Sequence, residues 1–424
     1  MTTSDYQQAL GRKIAAERRR RGLSQPELAT MVGRSVAWVS QVERGVRRVD
    51  RMSVLETVAA ALDVPLAELA AEAPVVAAVT EEPPDARGLR LVLSGAHALR
   101  AMLDGRRPLT VSALRSKSRQ AWELTHAGRY TDLTELLRGL VPDLETAART
   151  LPESRRAEVF ELMAATYQAC SAALAKLGEP EAAWIAADRA MAAAERAGNP
   201  MLVAAGAFRL VFVFLTARHY EQAEDTACTA ADALQPMADQ GDPQAMSLWG
   251  ALTLQRAVTA SRANEPDAAY QYLEQAKQIA DQLGEGRNDY NTEFGPATVS
   301  LSEIAVAVEL GDAGRAVRTA ATVDNAGLSA ERRARMLIDV ARAHAQRRQV
   351  DEAVAALLQA EDITPEQVRT HDLVRQLVSD LLTMQDPPSR KLRDLAGRLS
   401  AASLSSDTFY TCQEPLIRVL LGSA

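Results

Sequence analysis

Aromatic residues make up only 4% of this 424-residue chain, and it has three cysteines and five histidines. Each scarcity excludes something. Cys170, Cys228 and Cys412 lie far apart and suit neither a disulfide framework nor a metal knuckle. His97, His126, His219, His344 and His371 stand apart from the cysteines and from one another, so no metal site is expected. The residues after Met1 lack the apolar stretch of a signal peptide, and the expectation is that no run of about 18 apolar residues exists anywhere in the chain. Phosphate loop, dinucleotide fingerprint, zinc-protease helix and nucleophile elbow are all missing. The expectation is a soluble cytoplasmic protein that is not an enzyme and holds no cofactor.

What is abundant is Ala, Leu and Val, which carry most of the 47% hydrophobic content. Ala and Leu are strong helix formers, long β-branched runs are scarce, and an all-α fold follows. At ~150 residues per domain the length accommodates two or three domains. The net charge of −7 is uneven. Residues 10–51 hold eleven Lys or Arg against four Asp or Glu, +7 in all, leaving −14 for the remainder. A basic head on an acidic body points to a polyanionic partner for the head alone.

The head divides into short helical pieces. Leu10, Ile14 and Ala15 give helical spacing in a first helix running to about Arg21, stopped by Gly22. Ser24 followed by Glu27 is a capping-box pattern with Pro26 in the first turn, opening a second helix that Gly33 ends. Ser35 caps a third helix from Val36 to Arg44, with Gly45 beyond it. A fourth is expected over 54–62 and a short fifth around Val64–Leu69. Two short helices joined by a Gly-containing turn make a helix-turn-helix unit. In the third helix Val39 and Val42 point inward, leaving Val36, Ala37, Ser40 and Gln41 outward as candidate base contacts. Arg34, Ser35, Arg44, Arg47 and Arg48 flank this face where phosphates would run, with Arg51 close by. Trp38 suits either the core or packing beside the DNA backbone. One such module neutralises few phosphates, so a homodimer on an inverted-repeat operator in double-stranded DNA is expected.

The stretch GLSQPELATMVGRSVAWVSQVERG resembles the phage-repressor-like, xenobiotic-response-element family of helix-turn-helix domains, and LETVAAALDVPLAEL resembles its continuation. The resemblance covers about residues 8–70. It implies a phosphate contact from Gln25, base reading at the positions of Val36, Ala37 and Gln41, and an internal structural pair between Arg18 and Glu43. Val36 and Ala37 replace the polar readers often found there, which shifts specificity toward thymine-methyl contacts and DNA shape.

Residues 71–88, rich in Ala, Pro and Glu without a period, read as a linker between the head (1–70) and a repeat domain (89–403). In that domain a polar turn followed by a helix with a small or apolar anchor recurs at Leu133, Ala183, Ala223, Ala269, Ala316 and Ala353, at spacings of 50, 40, 46, 47 and 37 residues. Such a period is the signature of stacked helical hairpins. The turns resemble those of the tetratricopeptide repeat, implying a right-handed α-solenoid; HEAT-like pairs are the alternative. Residues 404–424 suit a mobile tail, a capping helix or a dimer contact.

The inner helices of such a solenoid gather Trp122, Tyr167, Phe208, Arg209, Phe212, Trp249 and Gln255, either as gap fillers or as an effector groove. Arg209, embedded in AAGAFRLVFVFL, needs a carboxylate or a ligand to answer its charge. The polar segment 286–304 adds Asn291, Glu293 and Phe294, with an open helix N-terminus near Ala297 and Thr298. Heads joined to such repeats resemble bacterial regulators that bind signalling peptides or other small effectors, and a large actinobacterial group of the same arrangement. The expected function is thus a DNA-binding transcriptional regulator with a peptide or small-molecule effector and no membrane partner. The alternative is a DNA-tethered adaptor whose repeats hold a partner protein. An unpaired Arg209 or Glu293 in a closed pocket would favour the small effector, and an open charged groove the protein.

Overall fold

A computed structural model describes residues 3–47, 49, 52–62, 64, 84–94, 110–385 and 387–407, and these form helices without a strand. The head contains α1 (Thr3–Arg20), α2 (Gln25–Met31), α3 (Val36–Glu43) and α4 (Met52–Ala61). The capping box is formed: the Ser24 hydroxyl accepts from the Glu27 amide at 3.3 Å, and the Glu27 carboxylate accepts from the Ser24 amide at 2.7 Å. Leu10, Ile14, Leu28, Val39, Val42, Leu55, Val58 and Leu62 bury a single small core, and Trp38 lies in it at 3% exposure. The expected fifth helix falls outside the described residues apart from Val64.

The repeats begin earlier than their sequence suggests. Helix α5 (Pro84–Val92) starts within the expected linker, and its Ala86, Leu89 and Val92 join the core of the first repeats. The amphipathic spacing of those three residues outweighs the loop-like composition around them. Seven helical pairs follow. They are α6 (Val111–His126) with α7 (Tyr130–Thr150), α8 (Glu153–Lys176) with α9 (Pro180–Ala197), and α10 (Pro200–Ala217) with α11 (Tyr220–Asp239). Next come α12 (Pro243–Ala263) with α13 (Pro266–Leu283), then α14 (Pro296–Leu310) with α15 (Ala313–Ala320). The last are α16 (Ala330–Gln346) with α17 (Val350–Ile363) and, after the short α18 (Pro365–Thr370), α19 (Asp372–Met384) with α20 (Arg390–Asp407). Helix α20 extends past the expected end of the repeats at 403; residues 408–424 lie outside the described set.

All six anchor residues of the periodic pattern are fully buried, at 0% exposure. The five alanines among them let paired helices approach closely, and Pro at the first turn of α9, α10, α12, α13 and α14 fixes their starts where no amide partner is lost. Helix α10 is the one described helix long and apolar enough to cross a membrane by length and composition. That corrects the expectation that no such run exists. Its Ala205, Phe208, Val211, Phe214 and Leu215 pack into the repeat core.

The array curls until its first and last thirds meet. The Glu366 carboxylate caps the start of α7, accepting from the Tyr130 amide at 2.7 Å and the Thr131 amide at 3.2 Å. A carboxylate suits the positive end of a helix dipole, here across 236 residues of sequence. Lys176 and Glu331 form a second closure at 2.8 Å.

Candidate functional site

Helix α3 is capped by the Ser35 hydroxyl, which accepts from the Trp38 amide at 3.1 Å. Val36 is 43% exposed and Ala37 is also exposed, whereas Ser40 is half-buried. Gln41 departs from the expectation: it is only 5% exposed. Its main-chain carbonyl accepts from the Val46 and Arg47 amides at 2.9 and 3.1 Å, closing the helix end, and its side-chain Oε1 is buried without a partner among the described residues. The outward face therefore narrows to Val36, Ala37 and part of Ser40.

The expected phosphate contacts divide. Arg44 is exposed, its Nε donating to the Ser40 carbonyl at 3.1 Å. Arg34 places its guanidinium 5.2 Å from the Trp38 ring centre. Gln25 turns inward instead, donating to Glu43 Oε2 at 2.8 Å. Glu43 meanwhile holds Arg18, whose guanidinium also donates to the Leu23 carbonyl at 2.6 Å. Arg48 lies outside the described residues. Ser35 and Arg47 face the repeats: Ser35 Oγ donates to the Leu310 carbonyl at 3.4 Å, and Arg47 donates to the carbonyls of Val308, at 3.1 Å, and Glu309. Asn264 Nδ2 donates to the Val32 carbonyl at 3.1 Å. Nothing in the sequence announced these contacts between head and repeats, because all four accepting groups are backbone carbonyls, which have no residue signature.

Inside the curled array, five of the candidate effector residues converge. The Arg209 guanidinium lies 4.6 Å from the Trp122 ring centre and 4.8 Å from that of Phe208. It donates to the carbonyls of Tyr290 and Asn291 at 3.3 and 2.7 Å, while its buried Nε meets no acceptor among the described residues. Burial, aided by the nearby Arg332 charge, pushes Arg209 down to about 9. Glu293 accepts from Arg332 Nε at 2.7 Å and from Ser329 Oγ at 3.1 Å. Burial pushes its carboxyl upward, but Arg332, His126 and Lys176 prevail and hold it down at about 2. Burial drives His126 down to about 4 against the pull of Glu293, so its ring is neutral at pH 7. Arg209 is thus answered by loop carbonyls rather than a carboxylate, and segment 288–293 fills the space beside it.

The other candidates lie elsewhere. Phe294 is a core residue, 1% exposed and seated on Gly250, where an added Cβ would lie 2.1 Å from the ring. Phe212 and Trp249 are half-buried against the cores, and Gln255 is half-buried on α12. Tyr167 lines a separate cleft of about 290 Å³ with Arg149, Arg189, Arg196 and Phe160. The helix start at Ala297 is not open: its amide donates to Glu285 Oε1 at 2.8 Å. Among the described residues no group of His, Cys, Asp and Glu is arranged to hold a metal ion.

Residues 9–71 match a family described as a helix-turn-helix domain. No curated protein matches the chain. A solved structure similar to it is that of Bacillus thuringiensis PlcR in complex with the peptide PapR7 and DNA. It is 16% identical, with 65% of this chain and 95% of that one covered, and the TM-score of 0.29 means that the two do not superpose as wholes. The described chain joins an N-terminal helix-turn-helix domain to a curled array of helical repeats.

Proposed function

We propose that this chain is a sequence-specific DNA-binding transcriptional regulator, without enzymatic activity, that acts in the cytoplasm as a homodimer on inverted-repeat duplex. The observation that carries the reading is the exposed Val36–Ala37 face of α3, within the helix-turn-helix match and flanked by Arg34 and Arg44 in a segment of charge +7. Two heads supply the phosphate contacts that one lacks. The repeats serve as the sensor. Their interior holds Lys176, Arg209 and Arg332 against Glu293 and Glu331, an excess of one positive charge suited to a peptide or small molecule carrying a carboxylate.

Arg209 and Glu293 each find partners inside the chain, Arg209 in the Asn291 carbonyl and Glu293 in Arg332, which favours a second reading, an adaptor whose repeats hold a partner protein on DNA. Anisotropy of the full chain on a randomised duplex pool tests the first claim: affinity falls about tenfold or more between about 50 and about 200 mM salt, and salt-insensitive binding contradicts it. Thermal shifts against size-fractionated culture extract separate the two readings. Stabilisation by a low-mass fraction supports the sensor, and stabilisation by high-mass fractions alone supports the adaptor.

A further inference from the structure

We propose that the C-terminal end of α14 is an internal substitute for a DNA phosphate that competes with duplex for the head and lowers its affinity; this rests on the reading of the head as DNA-binding. The last carbonyls of a helix lack partners within it and carry the negative end of its dipole. In α14 they meet the residues that would otherwise grip a phosphate. Arg47 forks onto the Val308 and Glu309 carbonyls, and Ser35, the cap of the recognition helix, donates to that of Leu310. The Glu309 carboxylate accepts from Arg342 at 3.1 Å, while the main-chain carbonyl of the same residue meets Arg47.

The approach is built in by Gly311. It ends α14 with φ of +85°, and a Cβ there would lie 3.1 Å from Arg47 Nη1 and 3.2 Å from Trp38 Cβ. A second helix end assists. Asn264, left-handed at φ 73° after α12, donates to the Val32 carbonyl in the turn before α3. Two repeat-domain helix ends therefore stand against the start of the recognition helix, where a phosphate backbone would run. The single Ser35 hydroxyl hydrogen cannot serve both, and the two terminal nitrogens of Arg47 are turned to α14. Val36 and Ala37 stay exposed, so the head is displayed but its anchors are occupied. Any event that separates α12 and α14 from the head frees them.

The test uses the full chain and a randomised duplex pool at one salt concentration. Gly311→Asn wedges a side chain into the contact while tolerating the left-handed backbone. Asn264→Gly removes the second hydrogen bond and keeps its own backbone conformation. Loss of the latch raises DNA affinity by about 5- to 150-fold, the range of ordinary coupling energies, and tighter binding by either variant supports the proposal. If wild type binds and both variants bind equally well, the latch is overturned and the DNA-binding reading stands. If none of the three binds even at low salt, that reading falls and takes the latch with it.

Discussion

Arg18 and Glu43 tie α1 to the end of α3 through two parallel hydrogen bonds, Nε to Oε1 at 2.5 Å and Nη2 to Oε2 at 3.0 Å. Their side chains are 10% and 5% exposed, so neither charge has ready access to water if its partner is lost. Arg18→Ala or Glu43→Ala should destabilise the head by about 3 kcal/mol, because breaking a buried pair leaves an uncompensated charge. Arg18→Met combined with Glu43→Leu should cost less than either single change. Urea unfolding followed through Trp38 fluorescence, with the other tryptophans replaced, measures both; additive losses would contradict the pairing.

The interior cluster makes stability depend on acid in two windows. Glu293 titrates at about 2 in the folded chain against its usual 4.5, so its contribution is present above 4.5 and lost as the pH falls through 2. The sum is about 3 kcal/mol at most. His126 titrates at about 4 against its usual 6.5. Its unfolded form gains a proton first, so stability is full above 6.5 and declines as the pH drops toward 4. In urea titrations His126→Gln should lessen the decline between 6.5 and 4, and Glu293→Gln the decline below 4.5. A Glu293→Gln profile parallel to wild type below 4.5 would remove this role.

Phe294 rests on the bare backbone of Gly250, and that contact anchors the segment that answers Arg209. Gly250→Ala places a methyl group inside the ring, and overpacking of this kind costs about 1–3 kcal/mol. Chemical denaturation should show that loss, while Gly139→Ala, where no described residue lies within 4 Å of an added Cβ, should show none. Equal behaviour of the two variants would mean that Phe294 moves aside freely.

Much of this was legible in the sequence because local rules and tertiary packing agree. Ser24, Glu27 and Ser35 cap helices by contacts three residues long. The anchors from Leu133 to Ala353 announce stacked pairs because a hairpin cannot bury its own face. What stayed hidden depends on distant backbone. Glu366 caps a helix across 236 residues, and Arg47 reaches carbonyls 261 and 262 positions away. Gln41 reads as outward on a helical wheel, yet it is only 5% exposed in the fold. Phe294 resembles a ligand contact until Gly250, 44 positions earlier, proves to be its seat.

The central claim is that the arginine-flanked start of α3 meets duplex DNA, and charge reversal tests it most directly. Anisotropy of the full chain on a randomised duplex pool at low salt compares wild type with the Arg34→Glu, Arg44→Glu double variant, folding being checked by circular dichroism. The double variant should bind more than about tenfold more weakly and show a shallower salt dependence. Unchanged affinity in a folded double variant would contradict the account.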